Sequence, residues 1–239
     1  MSPIGEQILA CLTEVAAQRA RRGADASLAS AVRAVKGYQH ARFQHTYADM
    51  LAHQRYGAAA QFFLDDLYGP GDFTSRDEQF ARIVPGLVRM FPREIVTTVL
   101  SLGQLHALSE RLDTEMGVAL LAASPEAAGP VDGARYGLLW RSVGQAHERE
   151  RQIVLMLRVG QALDGYTRNT LLRHSLRLMR GPAQAAGLGA LQNFLERGFD
   201  TFRAMRGSEE FLAVIATRER ALASLLFSGA DGPALRLSP

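Results

Sequence analysis

The sequence predicts an all-α protein, a single-domain bundle of about eight helices. Three observations support this fold class. Apolar residues recur at helical spacing along most of the chain, and the alternating patterns and turn dipeptides of β-hairpins are missing. Helix-ending residues such as Gly69-Pro70-Gly71 and Gly181-Pro182 fall between the periodic segments. At 239 residues the chain can bury a sizeable core without a disulfide or metal.

Periodicity and helix-breaking residues predict the helices in order. Ser75-Arg76-Asp77-Glu78 resembles a capping box, and Pro92 suits a first helical turn. The small, proline-rich segment 122–133 is the clearest loop, and we interpret it as a connection because apolar stripes flank it on both sides. The predicted helices are 3–22, 28–55, 57–68, 75–91, 93–122, 133–164, 167–180, 188–206 and 208–227.

One domain is expected to span residues 1–239. It comprises an N-terminal helix and linker (1–27), a core (28–227) and a frayed tail (228–239). The N-terminus has an acid at Glu6 and no basic leader, so no signal peptide is expected. No apolar run approaches the roughly 20 residues that span a bilayer. With a single cysteine, Cys11, which fits a reducing compartment, these features predict a cytoplasmic bacterial protein.

The basic residues indicate a solvated surface more than a nucleic-acid interface. The net charge is +3, and every basic residue except Lys36 is an arginine that lies among scattered acids. A local arginine excess in 141–180 favours a solvated face, with an acidic partner or a phosphate backbone as the alternative. This segment and the amphipathic stretches 191–202 and 211–227 lead us to predict a homodimer, without a membrane or nucleic-acid partner.

Sequence motifs for catalysis are absent. The chain has no Gly-rich phosphate loop, no GxSxG elbow, no HExxH and no CxxC pair. Cys11 lies on an apolar helix face without a histidine near it in sequence, so we interpret it as a structural thiol.

Three predicted helices each carry a histidine followed by a carboxylate at i+3 or i+4, which places both groups on one helix face. One interpretation is a non-haem iron or manganese site inside a bundle, although such sites use Glu-x-x-His, which this chain lacks. A second is ordinary hydrogen bonding along helix surfaces. Haem with one histidine as axial ligand is a third. The hypothetical metal ligands are His45, Asp49, His106, Glu110, His147 and Glu150.

A polar stripe on the second predicted helix is a candidate ligand site. Tyr38, Arg42, His45 and Asp49 follow helical spacing on one face. Arg42 offers a fork of donors suited to an anion, and with Tyr38 it forms the hypothetical ligand-binding pair for a small molecule. The alternative is an arginine–aspartate network satisfied within the chain.

The run QFFLDDLYGPGDFTSRDEQFARIVPGLVRMFP, with LHALSERLD and FLERGFDTFRAMRG further on, contains an FFLxxLYGP segment followed by RD. In these motifs the chain resembles an uncharacterised all-α family of bacterial proteins, over roughly residues 36–227. The resemblance implies a helical fold. It implies no activity and no catalytic residues.

Two functions remain open at this point. The first is a non-catalytic protein that binds a ligand or partner, favoured because catalytic motifs are absent. The alternative is a helical-bundle metalloprotein with non-haem iron or haem and oxidase- or oxygenase-type activity, favoured by the three histidine–carboxylate pairs. Whether the protein is an enzyme is left open.

Overall fold

The computed structural model describes residues 2–67, 69, 71, 73–123 and 130–230. Within these ranges the chain is helical and contains no β-strand, which confirms the all-α prediction. The elements are α1 (Pro3–Gly23), α2 (Ala26–Thr46), α3 (Ala48–Ala52), α4 (Gly57–Phe62), a π-helical segment π1 (Phe63–Leu67), α5 (Thr74–Met90), α6 (Arg93–Ala123), α7 (Gly133–Val143), α8 (Ala146–Thr167), α9 (Thr170–Leu178), α10 (Arg180–Ala185), α11 (Gly189–Ala204) and α12 (Glu209–Ser228).

The prediction of about eight helices is too low, because several predicted helices are interrupted. The predicted helix 28–55 changes direction at Tyr47, which ends α2 and precedes α3. The predicted helix 133–164 is broken at Gly144 and Gln145, whose φ angles of 67° and 60° lie in the left-handed region. Neither break interrupts the apolar periodicity strongly enough to be visible in sequence. The one-domain organisation stays a prediction, and residues 124–129 and 231–239 lie outside the described ranges.

Helix α6 is the central element. It packs against α1, α2, α7 and α8, and its buried side chains repeat at helical spacing through Leu105, Leu108, Leu112 and Met116. α6 and α8 run antiparallel, since Gln152 donates to Ser109 Oγ at 2.8 Å and earlier residues of α8 pair with later residues of α6. α6 is therefore covered by four other helices, and several of its polar residues, among them Ser101, Glu110 and Thr114, are buried.

None of the helices within the described ranges combines the length and the apolar character that a bilayer crossing requires.

Close packing of α2 on α6 gives a first testable prediction. A Cβ atom at Gly117 would lie 3.2 Å from the backbone nitrogen of Val32 and closer still to its Cγ2. We expect Gly117→Ala to lower the free energy of unfolding by about 1–3 kcal/mol, because overpacking forces the two helices apart. Urea unfolding provides the measurement.

The matched control is Gly37→Ala in α2, where a Cβ atom would meet nothing within 4 Å. This change is expected to raise stability by about 0.5–1 kcal/mol, because alanine loses less backbone entropy than glycine in a helix. Equal effects of the two substitutions would contradict the packing argument.

Candidate functional site

A buried carboxylate on α6 organises a charged cluster between α1, α2 and α6. Glu110 is 4% exposed and accepts hydrogen bonds from Arg22 and, at 3.2 Å, from the Lys36 ammonium. Arg19 lies 3.7 Å from the same carboxylate. Burial alone would raise the pKa of Glu110, but the charges of Lys36 and Arg22 outweigh it and hold the pKa below its ordinary value. Glu110 is therefore ionised at neutral pH.

A second acid joins the cluster from α5. The Asp77 carboxylate lies 2.8 Å from His106 Nε2 and 2.9 Å from an Arg19 nitrogen. Burial would raise the pKa of Asp77, but the hydrogen bond from His106 and the charges of Arg76 and Arg19 lower it overall. Asp77 and Glu110 thus hold α1 and α5 against α6 through ion pairs at the edge of the core.

A cavity of about 80 Å³ lies beside this cluster and is lined by residues of α2, α6, α7, α8 and α12 together with Gly69 and Phe73. Its wall is unusually polar for the interior of a helical protein. The lining residues with acidic or basic side chains are Lys36, Arg42, His106, Glu110, Asp113, Arg149 and Glu219, and the other polar ones include Gln39, Ser109, Tyr136, Trp140 and Gln152.

Arg149 of α8 is the unusual member of this wall. Arg149 is 3% exposed, and its Nε and Nη2 atoms are buried without a hydrogen-bond partner. The guanidinium carbon lies 3.8 Å from the centre of the Trp140 ring, and the Trp140 Nε1 donor is also buried without a partner. Burial lowers the pKa of Arg149, and neighbouring acids offset this only in part. The site therefore contains unsatisfied donors on two side chains that contact each other.

Nε and Nη2 form the edge of a guanidinium that binds carboxylates side-on. Two other arginines of this chain bind a carboxylate through this edge. Arg220 donates from Nε at 3.0 Å and from Nη2 at 2.7 Å to Glu150. Arg180 uses the same two nitrogens to hold Glu196. In Arg149 this edge is unoccupied by any described residue.

The other charged groups of the cavity wall are paired. Arg42 donates to Glu219 at 2.6 Å. Asp113 accepts from Gln39 at 3.0 Å and lies 3.6 Å from Lys36. With Glu110 bound to Arg22 and Lys36, each of the three lining carboxylates already has a cation. Arg149 is left as the lining arginine without a carboxylate contact among the described residues.

The predicted ligand-binding pair is only partly in the cavity. Arg42 lines it, but its guanidinium is bound to Glu219, whose charge raises the Arg42 pKa against the opposing effect of burial. Tyr38 packs its ring 4.6 Å from that of Tyr136 and is not among the lining residues. Burial, reinforced by Tyr136, raises the pKa of Tyr38 to about 12, so it is a neutral phenol at physiological pH. Their role in ligand binding stays a prediction.

The helix breaks separate two of the histidine pairs from the core. His45 is exposed near the end of α2, and Asp49 of α3 is held by Arg218 at 2.7 Å. His147 was expected on an inward face, but the break at Gly144 and Gln145 places it in the first turn of α8, where its side chain is 90% exposed.

The third pair behaves differently. His106 and Glu110 both lie in the buried cluster. Glu150, the carboxylate predicted to pair with His147, is about half exposed and is bound to Arg220 on α12. Across the described part of the chain, no group of three or more His, Cys, Asp or Glu residues could hold a metal ion. The hypothesis of a metal or haem site therefore stays a prediction without a contact in its favour.

Sequence reasoning missed the residues that distinguish this cavity, Arg149 and Trp140. Arg149 was counted only as part of a local arginine excess. A signal was present, because Arg149, Gln152, Ile153 and Met156 follow i, i+3, i+4 and i+7 and all line the cavity. An arginine on an otherwise inward-facing stripe is rarely buried without a function or a partner.

Further along the arginine-rich segment, the charges are compensated on the surface. Arg173 and Arg177 lie 3.2 and 3.8 Å from Asp200, and Arg180 pairs with Glu196. These contacts support the interpretation of a solvated face. The homodimer and the absence of nucleic-acid binding stay predictions.

Comparison with known proteins places the chain by family. Searches of curated proteins and of solved structures found no match. A family model described as "Domain of unknown function (DUF8198)" matches residues 18–233, which confirms the expected relationship to an uncharacterised family. The chain therefore belongs to the DUF8198 family.

Proposed function

We propose that this protein is a non-catalytic binding protein. Its polar cavity, the one lined by Arg149, binds a small anion through the Nε–Nη2 edge of that arginine. The observation that supports this is a buried guanidinium edge without a partner, on an arginine that lies over the ring of Trp140, whose Nε1 donor is also unsatisfied. A carboxylate or a phosphate group supplies the acceptors that both donors need.

The energetics favour a ligand at this position. An isolated buried charge costs several kcal/mol unless it is paired and hydrogen-bonded. Contact with the Trp140 ring returns about 0.5–2 kcal/mol. Neighbouring acids offset a further part of the cost, but no described residue accepts a hydrogen bond from Nε or Nη2. A bidentate anion would therefore gain both charge attraction and the two missing hydrogen bonds.

Access to the edge requires local movement. The two Arg149 nitrogens are shut off from solvent, so an anion reaches them after neighbouring side chains of the cavity move apart. The carboxylates of Glu110, Asp113 and Glu219 are held by their own cations, which limits their repulsion of an incoming anion. The cavity is therefore suited to an anion that carries one or two negative charges.

The chain provides its own reporter of binding. Trp140 is the only tryptophan, and its ring stacks on the Arg149 guanidinium. We expect acetate or inorganic phosphate to change the fluorescence of Trp140 saturably, and isothermal titration calorimetry to give the same dissociation constant. Arg149→Met is expected to weaken this binding by at least tenfold, which corresponds to about 1.4 kcal/mol.

The matched control is Arg151→Met on the same helix, because Arg151 is 42% exposed and pairs with Glu148 outside the cavity. It is expected to leave the affinity unchanged. Binding of neither anion, or equal weakening by both substitutions, would refute the proposal.

The alternative of a metal-dependent oxidase has no supporting contact among the described residues. Cytoplasmic location and bacterial origin also stay predictions from the sequence.

A further inference from the structure

A second cavity adjoins the first at the other end of the α6–α8 interface. It has a volume of about 130 Å³ and lies between α1, α5, α6 and α11. Its wall is mainly apolar and includes Phe80, Leu87, Val99, Leu102, Leu191 and Leu195. The first cavity is polar, so the two differ sharply in chemistry.

The two cavities share three lining residues, His106, Ser109 and Met156. Arg149 and Met156 lie seven residues apart on α8, which corresponds to about 10 Å along the helix axis. The antiparallel α6 follows the same order, with Asp113 lining the polar cavity alone and Leu102 lining the apolar cavity alone. The two cavities are therefore neighbours along α6 and α8, with His106, Ser109 and Met156 at the boundary between them.

We infer that the ligand is an elongated amphipathic anion, with its charged group at Arg149 and an apolar tail in the second, apolar cavity between α1, α5, α6 and α11. The inference rests on the proposed function, because it uses Arg149 as the anchor of the head group. The neutral side chains of Ser109 and Gln152 line the polar cavity between the levels of Arg149 and Met156, and they suit a polar, uncharged middle such as an amide.

The boundary between the cavities can adapt to a tail. Met156 is unbranched and flexible, which lets it change rotamer with little loss of packing. His106 and Ser109 are half-buried, and His106 is hydrogen-bonded to Asp77, which also lines the apolar cavity. Beyond Met156, His106 and Ser109, the described lining of the second cavity is apolar except for the ion pair of Arg76 and Asp77.

N-acylglycines test this inference, because they join a carboxylate, an amide and an alkyl tail of adjustable length. We expect N-hexanoylglycine to bind at least tenfold more tightly than N-acetylglycine, because each buried methylene adds about fourfold in affinity. The uncharged N-hexanoylglycinamide is expected to bind at least tenfold more weakly than the acid. Trp140 fluorescence and calorimetry report each affinity.

Two variants locate the tail. Val99→Phe fills the apolar cavity and is expected to remove most of the gain from the longer chain while leaving N-acetylglycine binding intact. Leu195→Glu places a charge at the rim, where Leu195 is 41% exposed, and tests the same point if Val99→Phe does not fold. Leu138→Phe, at an exposed position of α7 outside both cavities, is the control and should change neither affinity.

The outcomes separate the two proposals. Equal, Arg149-dependent binding of the acetyl and hexanoyl compounds would overturn the inference and leave the proposed function in place. A chain-length gain that persists in Arg149→Met would overturn the coupling of the two cavities. Binding of neither compound, together with no binding of acetate or phosphate, would overturn both proposals.

Discussion

Replacing Glu110 with glutamine is expected to lower the free energy of unfolding by about 2–4 kcal/mol. Removing one partner of a buried ion pair leaves the other charges uncompensated, which typically costs about 3–5 kcal/mol. Arg19, Arg22 and Lys36 keep some solvent contact, with side chains 13–25% exposed, so the expected loss is about 1 kcal/mol smaller than that typical cost. Urea denaturation at neutral pH measures the loss.

A matched substitution on the surface provides the comparison. Glu150→Gln breaks an ion pair with Arg220 in which both side chains are about half exposed. Exposed pairs contribute about 0–1 kcal/mol, so this variant should stay close to the parent protein. A loss in Glu110→Gln no larger than in Glu150→Gln would show that the buried cluster does not stabilise the fold.

The pH dependence of stability follows from the same residue. The folded pKa of Glu110 is lowered below its value in the unfolded chain, which is about 4.3 for a glutamate. Its contribution is therefore complete above that pH and is lost as the pH falls through the folded pKa. The parent protein should lose stability below about pH 5. Glu110→Gln should have a shallower slope there, and parallel profiles of the two proteins would contradict this assignment.

The all-α class and most helix positions could be predicted from the sequence because they depend on local patterns. Helix α6 was expected at 93–122 and is observed at Arg93–Ala123, and α11 was expected at 188–206 and is observed at Gly189–Ala204. Apolar periodicity and terminal glycines and prolines report on such boundaries directly.

The candidate site could not be predicted in the same way, because it depends on tertiary contacts and on helix breaks. The left-handed residues Gly144 and Gln145 rotate α8 relative to α7, which exposes His147 and buries Arg149. A helical wheel drawn through an unbroken helix 133–164 instead places His147 on the buried face. The ion-pair partners of Glu110 could not be predicted either, because Lys36 and Arg22 lie 74 and 88 positions away in sequence.

Arg149 leads to a second prediction, in which stability and binding change in opposite directions. Arg149→Met is expected to raise the free energy of unfolding of the unliganded protein by about 1 kcal/mol or more, while it removes anion binding. Replacing even a paired set of buried charges by apolar side chains of similar volume is often neutral or stabilising by about 1–4 kcal/mol, and among the described residues Arg149 has no hydrogen-bonded carboxylate that its removal would leave unpaired. The lost contact with the Trp140 ring, worth about 0.5–2 kcal/mol, offsets part of this gain.

The direction of the pKa shift supports this sign. Burial lowers the pKa of Arg149 in the folded protein, so folding disfavours its charged form, and at neutral pH the guanidinium opposes folding. Urea unfolding of the parent protein and of Arg149→Met without ligand measures the difference. Arg151→Met should be neutral, because Arg151 is exposed.

Saturating ligand completes the test. A ligand that binds the folded state alone stabilises it by about 2.7 kcal/mol at a hundred times its dissociation constant. The parent protein should gain this stability with N-hexanoylglycine, and Arg149→Met should gain little, so the order of the two proteins reverses. A variant that is less stable than the parent even without ligand would instead mean that Arg149 stabilises the fold through Trp140 and the nearby acids, and the cavity would then lack an unpaired charge with which to hold an anion.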